Sequence, residues 1–182
     1  MIVYRDATME DLSELENLLW KHGNNDWSHL TRNGVRSELL LIQNCRATAK
    51  IALWDSKIIG FAAVIDGSYS PLHLAKYGKA SEFSLINGVV VDEKFGGRGI
   101  ATHLLNQCLV HAENASVMNV LVEIHQEHAT YAGILRKVGF VVIDEYEDLE
   151  RWATGSRTTT ILQRSLAHND KHSTQKAAFK RY

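Results

Sequence analysis

Apolar positions change period several times along the chain, and each change marks an element. Val3-Tyr4-Arg5 reads as a short strand. Thr8 and Asp11 form a capping pattern ahead of Leu12, Leu15, Leu18 and Leu19, which recur at helical spacing. After a polar connection at 21–33, residues 35–44 predict a second helix with Leu39, Leu40 and Ile42 inward. Two strands at 47–54 and 58–65 flank Asp55-Ser56-Lys57, a hairpin turn by composition. The second is apolar throughout, as a central strand should be. Residues 66–81 make a long connection, and 82–91 and 117–124 are further strands around a helix with Ile100, Leu104, Leu105, Cys108, Leu109 and Ala112 in register. A helix at 129–138 ends at Gly139, and strands at 140–144 and 158–166 close the pattern. The order is β-α-α-β-β-β-α-β-α-β-β, which predicts one mixed α/β domain over 1–166. Residues 167–182 are polar and are expected to form a flexible tail.

The informative stretch is 86–106. The β-branched run Val89-Val90-Val91 leads through a charged turn to Gly96, Gly97 and Gly99 and then into a helix. Glycines let main chain approach a ligand, the first helical turn leaves its amides unpaired, and the helix dipole favours an anion. Phosphate or pyrophosphate is the guest that such a loop suits.

The residue order Val91-Asp92-Glu93-Lys94-Phe95-Gly96-Gly97-Arg98-Gly99-Ile100-Ala101 resembles the cofactor loop of the GNAT superfamily of N-acetyltransferases, whose core is Arg/Gln-x-x-Gly-x-Gly/Ala. Gly99 and Ala101 fit, and Gly96 stands where Arg or Gln is usual. Residues 129–140, ending Gly139-Phe140, are similar to a second family segment, with His128 at its Asn position and Leu135 at its Tyr position. The likeness runs from about Arg5 to Leu166. It implies a mixed sheet of six to seven strands with about four helices, splayed between the strand at 82–91 and that at 117–124. It also implies acetyl-CoA as co-substrate. Val89, Val90 and Val91 would then offer main chain to the pantetheine arm and to the thioester oxyanion. Gly96, Gly97, Arg98, Gly99, Ile100 and Ala101 would hold the pyrophosphate, with His128 as a further contact.

Composition narrows the alternatives. The chain has 182 residues, 45% hydrophobic and 23% charged, with a formal net charge of −1, so no basic field points to nucleic acid or to an anionic membrane surface. No apolar run is long enough to span a bilayer, and no secretory signal is visible, which predicts a cytoplasmic protein. Two cysteines, Cys45 and Cys108, lack metal or redox spacing and are expected to be buried and reduced. The pair His125/His128 lacks a third ligand, so no metal site is expected.

An amine with a pKa near 10 must lose a proton to attack a thioester, and Glu82, Glu123 and His125 lie near the ends of the two strands that should splay. The family Tyr that protonates the departing thiolate is Leu135 here. Tyr131 shares its helix face but sits one turn back, about 6 Å along the axis. Trp20, Trp27, Tyr69, His73 and Tyr77, with Asp26 and Asp66, are candidates to frame a small amine or a protein amine. The leading expectation is an acetyl-CoA-dependent N-acetyltransferase, and the resemblance implies a homodimer, which family members often form. Its rivals are a non-catalytic acyl-CoA-binding module and an unrelated nucleotide-binding domain.

Overall fold

The computed structural model describes residues 1–166, and the tail expected at 167–182 lies outside the described residues. Seven strands form one mixed sheet in the order β1 (Ile2–Asp6), β2 (Ala47–Trp54), β3 (Lys57–Asp66), β4 (Phe83–Val91), β5 (Asn119–His125), β7 (Thr158–Ser165), β6 (Val141–Glu147). Every neighbouring pair is antiparallel except β4 and β5, which the crossover helix α3 (Ile100–Asn114) joins in parallel. Helices α1 (Leu12–His22) and α2 (Arg32–Gln43) cover one face of the sheet; α3 and α4 (Ala129–Lys137) cover the other.

Local chemistry explains these elements. Asp11 accepts hydrogen bonds from the Thr8 amide (2.6 Å) and hydroxyl (3.0 Å), the cap expected ahead of α1. Asp55 and Ser56 both adopt positive φ, which gives the β2–β3 hairpin a two-residue turn and releases Lys57 to the strand. β3 is buried from Ile58 to Ile65, as an all-apolar interior strand must be. Two cores result, one on each face. Leu15, Ile51, Phe61 and Leu121 belong to the α1/α2 side, and Leu104, Cys108, Val122 and Leu135 to the α3/α4 side. Among the described residues no helix is long and apolar enough to cross a membrane.

Two expectations are corrected here. The inward face of α2 is Val35, Glu38 and Ile42, while Leu40 is 44% exposed. The helical period that buries Val35 and Ile42 carries Glu38 inward with them and turns Leu40 out. Cys45 is exposed: it follows α2 in a left-handed turn (φ 57°), which faces its side chain away from the core, whereas Cys108 is buried.

Candidate active site

β4 and β5 pair only from Phe83–Ile86 to Asn119–Val122. Beyond Ile86 the strands part. The register of β4 against β3 slips by one residue between Ile86 and Val89, a bulge at Asn87-Gly88 with Gly88 at φ +77°. β4 continues along β3, and Glu123, Ile124 and His125 of β5 continue along β7. Two strand edges therefore face one another across a gap. The Asp92 amide donates to the Ile59 carbonyl of β3 (2.8 Å), so by the alternation of the ladder Val90 also faces β3, while Val89 and Val91 direct their peptide groups into the gap. Val90 is thus not brought to the opening. Its peptide groups face β3, and its side chain is buried on the α1/α2 side.

At the end of this edge stands the glycine loop. Gly97 (φ +72°) and Gly99 (φ +76°) adopt the left-handed conformation, and a Cβ on either would meet nothing within 4 Å, so the space before the loop is open. Gly99 caps α3 without any side-chain hydrogen bond. The amides of Gly97, Arg98 and Gly99 donate to no group among the described residues, and those of Ile100, Ala101 and Thr102 are the unpaired first turn of the helix. Gly96 differs, because its amide closes a turn onto the Glu93 carbonyl (3.1 Å). Arg98 lies over the Phe95 ring at 5.3 Å, at the rim.

Strand alternation sends Val120, Val122 and Ile124 to the α3/α4 face and Glu123 to the α1/α2 face. Glu123, with its side chain 8% exposed, meets His73 through Nε2, the Tyr146 hydroxyl (3.3 Å) and Arg151 (3.4 Å). Burial, then the Glu123 charge, raise the Tyr146 phenol to about 12. Nearby, Lys76 and then Tyr77 hold Asp144 down to about 2, fastening the 72–77 segment to β6. We expect Glu123→Ala to leave Arg151 and the half-exposed His73 without their carboxylate partner and to lower stability by roughly 1–3 kcal/mol, read by urea titration.

Aromatic contacts gather beyond the C-terminal end of β5. Trp27 stacks on His128 (5.1 Å between centroids), His128 tilts against Tyr131 (5.5 Å), and His125 meets Trp152 edge-on (4.7 Å). Burial lowers the His128 pKa and favours its neutral ring. The Tyr131 hydroxyl is buried without a hydrogen-bond partner, and burial pushes its pKa upward. Leu135 is fully buried.

Other sequence candidates lie elsewhere. Glu82 precedes β4 at the closed end of the pair, where its carbonyl accepts from the Met118 amide (2.8 Å). Asn87 lies five positions further along the strand, roughly 16 Å away. Trp20 lines an outer groove with Arg32 and Arg36, Tyr69 sits under Arg46, and Asp66 caps the turn at Ser68. Sequence reasoning missed Glu38, Asn87, Arg151 and Trp152. The Val35-to-Ile42 spacing and the glycine inside β4 were the available signals for the first two.

Comparison with known proteins agrees with this geometry. The sequence profile of the acetyltransferase (GNAT) family matches residues 10–140, most of the chain. Curated proteins give no match by sequence. Similar solved structures include ribosomal-protein-alanine N-acetyltransferase from Brucella melitensis (17% identity, TM-score 0.72, 90% of this chain and 99% of that one). The ribosomal-protein-S18-alanine N-acetyltransferase of Escherichia coli is also similar (15%, 0.70, 93% and 98%). So is a GNAT superfamily phosphinothricin acetyltransferase from Sinorhizobium meliloti, solved with acetyl-CoA (15%, 0.72, 91% and 89%). At these identities the likeness is one of fold. The chain belongs to the acetyltransferase (GNAT) family. It is an acyltransferase with acetyl-CoA as co-substrate.

Proposed function

We propose that this protein transfers the acetyl group of acetyl-CoA to a primary amine, on a small molecule or at a lysine or N-terminal position. The observation that carries the reading is the gap between β4 and β5, with a free peptide edge at Val89 and Val91 leading to the unpaired amides from Gly97 to Thr102. An extended amide-bearing arm ending in a diphosphate fits such a channel: the edge offers strand-like pairing, and the loop offers donors and a helix dipole. Acetyl-CoA supplies an acyl group already activated as a thioester.

The chain's residues divide the remaining work. Gly97, Gly99, Ile100 and Ala101 hold the diphosphate through main chain, with Arg98 as a side-chain partner at the rim. Val89 and Val91 align the arm, and one of their amides faces the carbonyl oxygen as negative charge develops there. Glu123, anchored by His73, Tyr146 and Arg151, presents a carboxylate from the α1/α2 side, where an ammonium group would enter. Two neighbours named as N-acetyltransferases of ribosomal-protein alanine support a nitrogen acceptor.

Tyr131 carries a hydroxyl on α4, packed on the α3/α4 side of the sheet, that a bound arm would reach from the gap. Its phenol has no partner, so a ligand atom that accepts from it would be bound at little desolvation cost. We expect Tyr131→Phe to keep or slightly raise the melting temperature while weakening acetyl-CoA binding by about 2- to 12-fold, the worth of one neutral hydrogen bond, measured by calorimetry. Leu135 offers no proton to the departing thiolate, and solvent is adequate for a leaving group whose acid has a pKa of about 8.5. The buried leucine also favours a second reading, a non-catalytic acyl-CoA-binding module. Incubating the protein with acetyl-CoA and a panel of amines, with free thiol as the readout, separates them. Amine-dependent thiol release supports the transferase, and binding without release across the panel supports the module.

A further inference from the structure

Glu38 is an acid in the wrong place for a structural residue. It lies on the inner face of α2 with only 7% of its surface exposed, Oε1 has no hydrogen-bond partner, and no salt bridge to it exists among the described residues. A buried carboxyl left in this state opposes folding unless something else is gained. The one polar group acting on it is the side chain of Asn87. Asn87 is the first β4 residue beyond the paired segment, and it stands exposed in the bulge at the root of the gap.

We propose that Glu38 is the proton acceptor for the attacking amine, on the α1/α2 side of the point where β4 and β5 part. The assignment rests on the transferase reading above and names the base within it. The entering ammonium first releases one proton to solvent; as the neutral nitrogen then bonds to the acetyl carbon, a second N–H bond breaks and its proton goes to a Glu38 carboxylate oxygen. The carbon–sulfur bond then breaks with its electron pair on sulfur, and the thiolate takes a proton from solvent. Glu123 differs in kind, since it is already engaged with His73 and Arg151.

Burial raises Glu38 to about 8, and the Asn87 amide pulls it back toward the ionised form. No charged side chain of α1, β2, β3 or β4 acts on it among the described residues. His22 of α1 is engaged with Asp92, and Arg32 and Arg36 of α2 line the outer groove. A base near the working pH is matched to an amine.

The test is kcat/KM against pH, from 6 to 10, for the full chain with the best amine of the panel. The unaltered protein should lose activity below an apparent pKa near 8. Glu38→Gln should lower kcat/KM by about 100-fold or more and erase that limb, with acetyl-CoA affinity within about twofold. Asn87→Ala removes the group that favours the carboxylate, so its limb should move to higher pH. Glu38→Gln with undiminished kcat/KM and the same limb overturns the assignment. Should that variant fail to fold, an unmoved limb in Asn87→Ala overturns it equally. Absence of turnover by the unaltered protein across the panel removes the transferase reading, and this assignment with it.

Discussion

Replacing Gly99 by Asp should weaken acetyl-CoA binding by at least about 100-fold while the protein stays folded. Gly99 has φ +76°, and a Cβ there meets nothing within 4 Å. Asp and Asn enter the left-handed region more readily than other residues, so either can be accommodated at a strain of about 1–2 kcal/mol. Their difference lies in charge. The Asp carboxylate would stand at the N-terminus of α3, where it would accept from the amides of Ile100, Ala101 and Thr102 and repel an incoming diphosphate. Gly99→Asn measures conformational strain alone, and we expect it to weaken binding by less than about tenfold. Calorimetric titration with CoA reads both variants. Equal losses for the two would mean that the loop does not hold an anion.

The parts of this site that lie close together in sequence are the ones that pattern could find. A β-branched run, the glycines at 96, 97 and 99 and a helix in the space of 86–106 specify a strand, a turn with left-handed glycines and an unpaired helix start, because each feature is a local property of the backbone. The seven-strand mixed sheet and the divergence of β4 from β5 agreed with the resemblance to the GNAT superfamily, not with anything periodicity could show. Periodicity failed where tertiary placement decides. Glu82 and Glu123 look alike as acids near strand ends, yet one lies at the closed end of the strand pair and the other in a cluster with Tyr146 of β6 and with His73 and Arg151 from two distant connections. Gly96, Gly97 and Gly99 look equivalent as well, but the Gly96 amide closes its own turn and only the later ones remain free. In α2 the bulk of Leu39-Leu40-Leu41 concealed the face that turns inward. The acid at its centre emerges only once Val35, Glu38 and Ile42 are taken together as one helical stripe.

That buried acid sets the second large expectation, a pH-dependent gain in stability when Glu38 is changed to Gln. The folded protein raises this carboxyl from 4.5 to about 8, chiefly by desolvation, with the Asn87 amide opposing the rise. Because its folded-state pKa lies above the unfolded one, the native state holds a proton that the unfolded chain releases between pH 4.5 and 8. Native stability therefore falls across this interval and levels off above it. At about 1.4 kcal/mol per pH unit, the full penalty above pH 8 is on the order of 5 kcal/mol, and relaxation or water entry around the carboxyl would reduce it. Gln keeps the shape and hydrogen-bonding capacity and cannot ionise, so Glu38→Gln should match the unaltered protein near pH 4.5. It should exceed that protein by about 2–5 kcal/mol at pH 9 in paired urea titrations. Parallel stability curves for the two proteins from pH 4.5 to 9 would mean that Glu38 ionises as freely in the fold as in the open chain. A stability gain together with lost turnover would place Glu38 among residues whose strain is retained for activity, since a carboxyl kept only for packing is replaced by its amide without catalytic loss.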